Sequence, residues 1–499
     1  MIFELEDGVL NQVTETNMKQ IVPLTSIYTQ KINDKFSLLI NSFKNKVFVV
    51  DNHCIKKDYL EIDSSLSKWL ITPSSNQDHF SPDTIYKVET LSESKKKIQL
   101  SLAITYSCNL RCSYCFQQKY DGLARKPITL SELETILDKI SLLIYENPEL
   151  EISLGLFGGE PLLPKSELET ILDKISLLIY ENPELEISLG LFGGEPLLPK
   201  NEPIIDRVFQ YCVENKLKVD ITTNGIFLPY FAKKLIIYRS IISVVAITIN
   251  TLPEKYKDIV KITKVANNTE KLLAVTKLLL DYGLTMDVGT NFDKTNINDF
   301  VTLYDYFVKN RYFQKENFHW NIGRVDDRLF DTGYDDYIIS ETDILLQLMK
   351  VRDQVPRNLH AGFIQTCKNL TDKLNLSFNQ SQTKGTYNYC WNVSPYDRVF
   401  YIDNELNIFR CTVTVGRPQY ILGNLREIDL LNYKHETKTF LDYKDCQRCH
   451  IGGFCSGGCK LSADVDFYKQ CNWEKKEFEK FINQILIPEI KVKLEELYV

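Results

Sequence analysis

Apolar residues that alternate with polar ones mark the strands of this sequence. Ile98, Leu100, Leu102 and Ile104 alternate in this way and predict a strand that runs directly into Cys108. Apolar residues at helical spacing follow, at Leu133, Ile136, Leu137, Ile140 and Leu143. Further strand candidates lie at 152–157, 219–222, 244–249 and 286–291. Strands that alternate with amphipathic helices predict an α/β protein with a parallel sheet, either a barrel or a partial barrel.

The region before this alternation has a different pattern. Residues 1–95 combine short strand-like runs, at 36–40 and 46–50, with turn-forming Asn and Asp, and Asn45 lies between the two runs. We therefore expect a separate, small N-terminal α+β domain.

A perfect tandem repeat interrupts the barrel pattern, because residues 131–165 recur without one change at 166–200. Each copy predicts one helix, which breaks at Asn147-Pro148 or Asn182-Pro183, then one strand and one GGEP loop. Only one of the two strands can occupy a given position in a barrel. We expect either that one copy bulges out, or that the helix of the first copy pairs with the strand of the second.

Composition narrows the class of partner. A chain of 499 residues is long enough for two to four domains, and its net charge of −7 argues against nucleic acid as a partner. The first ten residues lack the features of a secretory signal, and no apolar run reaches membrane-spanning length. We expect a cytoplasmic protein without a membrane partner, in which thirteen cysteines stay reduced and bind metal or do chemistry.

Three of these cysteines follow the first barrel strand, at the end where barrels place reactive residues. Cys108, Cys112 and Cys115 stand in the string ITYSCNLRCSYCFQ. Three thiolates leave one iron of a [4Fe-4S] cluster open to a ligand. The alternatives are a zinc knuckle, which needs four closed ligands, or buried core cysteines.

This string, including Phe116, resembles the cluster motif of the radical S-adenosylmethionine (SAM) superfamily. The resemblance implies a partial (β/α)6-type barrel whose open iron binds the amino and carboxylate groups of SAM. It also implies reductive cleavage of SAM to a 5'-deoxyadenosyl radical, with Cys108, Cys112 and Cys115 as the catalytic cluster ligands. The protein then positions the reactive carbon and excludes side reactions.

The GGEP loops resemble the glycine-rich SAM loop of the same superfamily. The repeat offers two equal candidates, Gly158, Gly159 and Glu160 or Gly193, Gly194 and Glu195. Asn224, within Thr223-Asn224-Gly225, resembles a third-strand element. Thr248 and Asn250 stand where relatives often carry Ser-x-Asp at the ribose, and they are either SAM contacts or plain strand residues.

A second set of cysteines, at 367, 390, 411, 446, 449, 455, 459 and 471, lies near the C-terminus. Paired cysteines of this spacing are generally structural zinc ligands, but the array resembles the SPASM extension, which binds two auxiliary [4Fe-4S] clusters. The resemblance implies a distal cluster held by Cys446, Cys449, Cys455 and Cys471. A nearer cluster would be held by Cys390, Cys411 and Cys459, with either Cys367 or an open iron at the fourth corner. The chain departs from the pattern at Leu406, where relatives usually have glycine.

The predicted domains follow from these motifs. They are an N-terminal domain at 1–95, a radical SAM core at 96–335, a linker at 336–384, a SPASM domain at 385–475 and a C-terminal helix at 476–499, interrupted at Pro488. The N-terminal domain resembles the winged-helix elements with which peptide maturases capture leader peptides, with residues 36–50 as the hairpin.

The resemblance implies an enzyme that modifies a ribosomally made precursor peptide or a protein, forming a thioether or another crosslink. Its electron donor would be a flavodoxin or ferredoxin. One alternative is a sulfatase-maturing enzyme that makes formylglycine, although such relatives carry Asp where this chain has Thr412. The other is a non-catalytic iron-sulfur scaffold.

Overall fold

The structure is a computed structural model. It describes residues 1–13, 19–23, 27–56, 59–63, 97–106, 115, 129–146, 151–159, 169, 172–173, 175–177, 180, 188–192, 195–251, 269–326, 335–362, 366–376, 398–403, 405–409, 411–428, 444–455 and 457–497. Within those ranges, no helix combines the length and the apolar character needed to cross a bilayer.

The strands are β1 Ile2–Glu6, β2 Val9–Gln12, β3 Lys19–Pro23, β4 Tyr28–Lys31, β5 Phe36–Asn41, β6 Lys46–Asp51, β7 Tyr59–Asp63, β8 Lys97–Tyr106, β9 Glu151–Gly159, β10 Ser188–Phe192, β11 Lys218–Thr223, β12 Ile242–Thr248, β13 Met286–Phe292, β14 Phe318–Arg324, β15 Leu359–Ala361, β16 Arg398–Ile402, β17 Asn407–Phe409 and β18 Gly423–Asn424. The helices are α1 Leu130–Glu146, α2 Glu202–Glu214, α3 Leu228–Ile237, α4 Thr269–Asp281, α5 Phe300–Lys309, α6 Glu341–Met349, α7 Lys368–Lys373, α8 Lys444–Gln447, α9 Gly452–Cys455, α10 Lys460–Phe481 and α11 Ile487–Leu497.

A sheet of eleven strands forms the centre of the molecule, in the order β15-β14-β13-β12-β11-β10-β9-β8-β16-β17-β18. Strands β8 to β15 run parallel, β16 pairs parallel with β8, and β17 and β18 continue antiparallel. This confirms the predicted α/β class and each of the barrel strands that the alternating pattern predicted.

The two faces of this sheet differ. Trp320 of β14 is buried against the α5 rings of Phe300 and Phe307, with ring centroids 5.4 and 5.1 Å away. Because side chains of a strand alternate between faces, His319 and Asn321 of β14 lie on the opposite, half-buried face. We call that second face the inner face of the sheet.

Both copies of the repeat contribute a strand to this sheet, so neither expected arrangement is correct. Strand β9 comes from the first copy and β10 from the second, and they are parallel neighbours, with Leu191 opposite Leu156. A parallel strand offers the same hydrogen-bonding edges to any parallel neighbour, so the sheet accepts an extra unit by widening. Tyr145 and Tyr180, which occupy the same position in the two copies, are both 85% exposed.

The N-terminal region forms a five-stranded antiparallel sheet, in the order β2-β1-β6-β5-β4, beside a two-stranded β3-β7 pair. The predicted hairpin is present as β5 and β6, with Asn45 in a left-handed conformation in its turn. Both hairpin strands lie inside the sheet. Helices of a winged-helix element would have to fall among residues 64–96, which lie outside the described residues.

Two predicted boundaries change. The segment 336–384, predicted as a linker, contains α6, β15 and α7, and β15 extends the central sheet beside β14. At the C-terminus, α10 continues through a π-helical segment at Ile482–Leu486 into α11. Pro488, the second residue of α11, lies just after this segment. A proline removes one helical hydrogen bond, and a π-helical turn before it accommodates the loss.

Candidate functional site

The first cysteine motif follows β8, whose C-terminal end lies beside the end of β9. Cys115 is half-buried, and Cys108, Cys112 and Phe116 lie outside the described residues. The register pairs Thr105 with Gly158 and Tyr106 with Gly159, so the glycines of the first GGEP copy adjoin the strand that leads to the cysteines.

The second GGEP copy contacts a different strand. Glu195 is fully buried, and its carboxylate accepts hydrogen bonds from Leu197 N at 2.8 Å, Thr223 Oγ1 at 2.6 Å and Asn224 N at 2.7 Å. Burial raises the pKa of the Glu195 carboxyl to about 7, although these three hydrogen bonds lower it in part. Glu195 therefore connects its own loop to the Thr223-Asn224-Gly225 turn after β11.

The duplication thus places the two candidate SAM loops beside different strands. Gly158 and Gly159 stand next to the cysteine strand, whereas Glu195 stands next to the Asn224 turn, and strand β9 separates β8 from β10. Glu160, Gly193 and Gly194 lie outside the described residues.

Asn250 and Thr248 occupy different settings at the end of β12. Asn250 is buried, with its side-chain oxygen accepting from Asn291 N at 2.9 Å and its backbone oxygen from Asn296 Nδ2 at 2.9 Å. This favours the plain structural interpretation of Asn250. Thr248 is half-buried on the inner face, as a ligand contact requires.

Four of the C-terminal cysteines line one cavity, although they come from three helices and a turn. Cys446 lies in α8, Cys449 in the following turn, Cys455 at the end of α9 and Cys471 in α10. Their cavity also includes Gly452, Gly457 and apolar side chains. This grouping fits the four-thiolate ligand set of a [4Fe-4S] cluster. Among the described residues, no three His, Cys, Asp or Glu side chains converge on a single metal ion.

Three thiols of this cavity, those of Cys446, Cys455 and Cys471, are held in their protonated form. Burial raises the pKa of Cys446 to about 12 and that of Cys455 well above its usual range, and it also raises the pKa of Cys471. Metal binding requires thiolates, so loading of a cluster here releases protons.

A tight turn separates this cavity from the remaining cysteines. Gly457 and Gly458 have φ values of 80° and 70°, which glycine adopts without strain. Cys459 follows as the N-terminal cap of α10 and packs in one apolar cluster with Cys411. Cys390, predicted to share a cluster with these two, lies outside the described residues.

Leu406 keeps the turn geometry of the glycine that it replaces. It has φ of 65° and is fully buried before β17. Asp403 fixes the turn, since its Oδ1 accepts from Glu405 N and Asn407 N, both at 2.9 Å. The departure that the sequence shows at this position therefore leaves the backbone turn intact.

Cys367 lies among carboxylates. It is fully buried at the start of α7, and its N–H donates to Glu341 Oε2 at 3.1 Å. Burial, followed by Glu341, Glu477 and Glu474, raises the pKa of this thiol well above its usual range. Negative neighbours oppose a thiolate, so this setting counts against Cys367 as a cluster ligand.

The sequence did not predict this acidic group. Arg324, at the end of β14, lies 3.6 Å from Glu341 and 3.9 Å from Glu477, and all three are buried. Burial raises the pKa of Glu477 to about 8. The group joins the central sheet to α10, which also carries Cys471. Its members come from 324–477, too far apart in sequence to form a motif.

The N-terminal sheet covers the cysteine loop. Gly453 N donates to Ser42 Oγ at 3.1 Å, and Phe43 is buried beside Gly452. A Cβ on Gly452 would lie 2.6 Å from Cys446 O, and one on Gly453 would lie 2.6 Å from Phe43 N. The turn between β5 and β6 therefore rests directly on the loop that carries Cys446, Cys449 and Cys455.

Residues 102–307 match the radical SAM superfamily. The matched range contains the predicted cysteine motif and both GGEP loops. The chain therefore carries a radical SAM domain and is an enzyme, and this domain implies SAM and a [4Fe-4S] cluster as cofactors.

Solved structures are similar to this chain. One is anSMEcpe with bound AdoMet and Cp18Cys peptide, which is 16% identical, with 80% of this chain and 99% of that chain covered and a TM-score of 0.50. Another is Streptococcus suis SuiB bound to precursor peptide SuiA, which is 14% identical, with 90% and 97% covered and a TM-score of 0.47. Among curated proteins, no match to the sequence is found.

Proposed function

We propose that this enzyme cleaves SAM reductively and modifies a ribosomally made peptide, forming a thioether or another crosslink. The cavity lined by Cys446, Cys449, Cys455 and Cys471 carries the proposal, because it adds an auxiliary cluster site to a radical SAM chain. The bound cofactors would supply a radical that abstracts hydrogen. This chain's own cysteines hold the clusters, and Glu195 and Asn224 shape the SAM loop. Flavodoxin or ferredoxin would supply the electron, in the cytoplasm.

A sulfatase-maturing activity is the second candidate. The fold similarity to anSMEcpe, whose structure contains a peptide, supports it. Thr412 counts against it, because a threonine after Cys411 does not accept a proton as a carboxylate would.

Anaerobic reconstitution with iron and sulfide tests both candidates. With dithionite, the wild-type enzyme should release 5'-deoxyadenosine, and replacement of Cys108, Cys112 and Cys115 by alanine should abolish this release. The probe is a synthetic peptide with the sequence of a short, Cys-rich open reading frame beside the gene. A product lighter by two hydrogens supports crosslinking, whereas an aldehyde supports formylglycine formation and contradicts our first proposal.

The leader of such a peptide would bind the N-terminal sheet as an added strand. Strand β4 lies at one edge of this sheet, and its Tyr28 ring packs 5.0 Å from Phe478 of α10, beside the cysteine loop. We expect the peptide to slow amide hydrogen exchange in β4. Protection confined to other strands would contradict the choice of this edge.

A further inference from the structure

Three polar side chains gather on the inner face of the central sheet. His319 Nδ1 of β14 lies 3.2 Å from His360 Nε2 of β15, and the two rings stack with centroids 5.5 Å apart. Asp287 of β13 interacts electrostatically with both rings and accepts a hydrogen bond from Asn321. Residue spacing does not reveal this group, because its members come from three strands.

The group lies beside the positions predicted to contact SAM. The register places Thr248, Gly289, Asn321 and His360 in one row across β12 to β15. Asp287 and His319 pair in the row just before it. Thr248 is a predicted SAM contact, so the histidines occupy the same level of the same face.

The inner face leaves room for a ligand next to this group. Gly190, Ala246 and Gly289 are the small residues of β10, β12 and β13 on that face. Among the residues that the structure describes, none has an atom within 4 Å of a Cβ placed on Gly190. A substrate group above these strands could therefore approach the histidine pair without displacing side chains from them.

The proposed reaction needs a proton acceptor. Conversion of a substrate C–H and S–H pair into a C–S bond removes two hydrogens. One leaves as a hydrogen atom and ends in 5'-deoxyadenosine. The other leaves as a proton from the thiol, together with one electron that passes to an oxidised iron-sulfur cluster. The cluster takes the electron only, so a side chain or water must take the proton.

We propose that the His319–His360 pair, supported by Asp287, accepts this proton from the peptide substrate. Imidazole titrates near neutral pH, and a nearby carboxylate stabilises the cation that forms. Burial, followed by repulsion from His319, lowers the pKa of His360, and Asp287 offsets this in part. The His360 ring is therefore neutral, and able to accept a proton, at neutral pH. This assignment rests on the proposed peptide modification.

Glutamine variants of the two histidines test the assignment in the reconstituted enzyme with its precursor peptide. His319→Gln and His360→Gln should lower the ratio of product to released 5'-deoxyadenosine about 100-fold relative to wild type. Added imidazole should restore part of the product. His53→Gln is the matched control, because that ring is exposed beside Asp51. An unchanged ratio of product to 5'-deoxyadenosine would overturn the assignment.

Histidine-ring NMR of the cluster-free protein gives a readout that does not depend on activity. His319→Gln should raise the pKa of His360, and Asp287→Asn should lower it. An unchanged pKa of His360 in both variants would show that the group does not form. Stoichiometric Zn²⁺ binding by the two rings would show that they are metal ligands instead. Each of these results overturns the assignment. If wild-type enzyme cleaves SAM but modifies no peptide, the proposed function itself fails. Normal coupling in His360→Gln refutes the histidine assignment alone.

Discussion

Glu195 is buried, and its described hydrogen-bond partners are two backbone N–H groups and a hydroxyl. None of these partners carries a positive charge. Since folding raises the pKa of Glu195 from 4.5 to about 7, the folded state binds more protons than the unfolded state between these values. The free energy of unfolding therefore falls as pH rises from 4.5 to 7, by on the order of 3 kcal/mol at most.

Glu195→Gln should remove this pH dependence. The variant should gain stability relative to wild type as pH rises from 4.5 to 7, with no further gain above that range. Urea unfolding of the cluster-free protein at several pH values measures the difference. Glu477, whose pKa is raised to about 8, keeps its own contribution in both proteins, so the comparison isolates Glu195. A constant difference across this range would contradict the shift.

The cysteine cavity predicts a selective loss of iron. Cys455→Ala should lower the iron content of the reconstituted protein by about four atoms per chain, the content of one [4Fe-4S] cluster. Cys212→Ala is the matched control, because Cys212 is equally buried but lies in the apolar core of α2. Equal iron content in the two variants would exclude Cys455 as a ligand.

The resemblance to the SPASM extension implied which cysteines form the distal set, but it did not imply the setting of each cysteine. Three members of that set lie within ten residues of one another, where local turns decide their geometry. The carboxylates around Cys367 come from α6 and α10, so only tertiary packing reveals them.

At the level of elements, the contact between the N-terminal turn and the cysteine loop depends on the absence of side chains. Gly453→Ala should cost about 1–3 kcal/mol, because the new Cβ would force the Ser42-Phe43 backbone away. Thermal unfolding measures the loss, and limited proteolysis should show faster cleavage near residue 43.

Gly190→Ala is the matched control, since its Cβ would enter open space on the inner face. We expect a change within about 0.5 kcal/mol. If the two variants unfold alike, the docked position of the N-terminal sheet is wrong.

The alternation of apolar residues predicted the barrel strands because each strand buries one face against helices. It predicted neither the width of the sheet nor the addition of β15 and β16. Strand β15 has three residues, too few for a periodic signal, and β16 pairs with β8 across some 300 positions of sequence. Such pairings depend on the folded chain rather than on local pattern.

For the whole molecule, the repeat makes one deletion unambiguous. Removal of 131–165 or of 166–200 leaves the same sequence, because the copies are identical. In the full chain, β9 separates β8 from β10 and places the Glu195 loop one strand spacing, about 4.8 Å, farther from the cysteine strand. In the shortened chain, a single strand should carry both the pairing with β8 and the Glu195 contacts.

We expect the shortened chain to fold and to bind SAM about tenfold more tightly, the value of one added hydrogen bond to a charged group. Equilibrium binding of SAM to the reconstituted proteins measures this, with 5'-deoxyadenosine release as a second readout. Equal affinity would show that the first copy already provides a complete site.

The contact between Ser42 and Gly453 also dictates an order of assembly. During synthesis the N-terminal sheet emerges first and its docking surface nearly last, 411 positions later. Because the docked sheet lies on this loop, we expect iron and sulfide to bind the cysteines before the two surfaces meet.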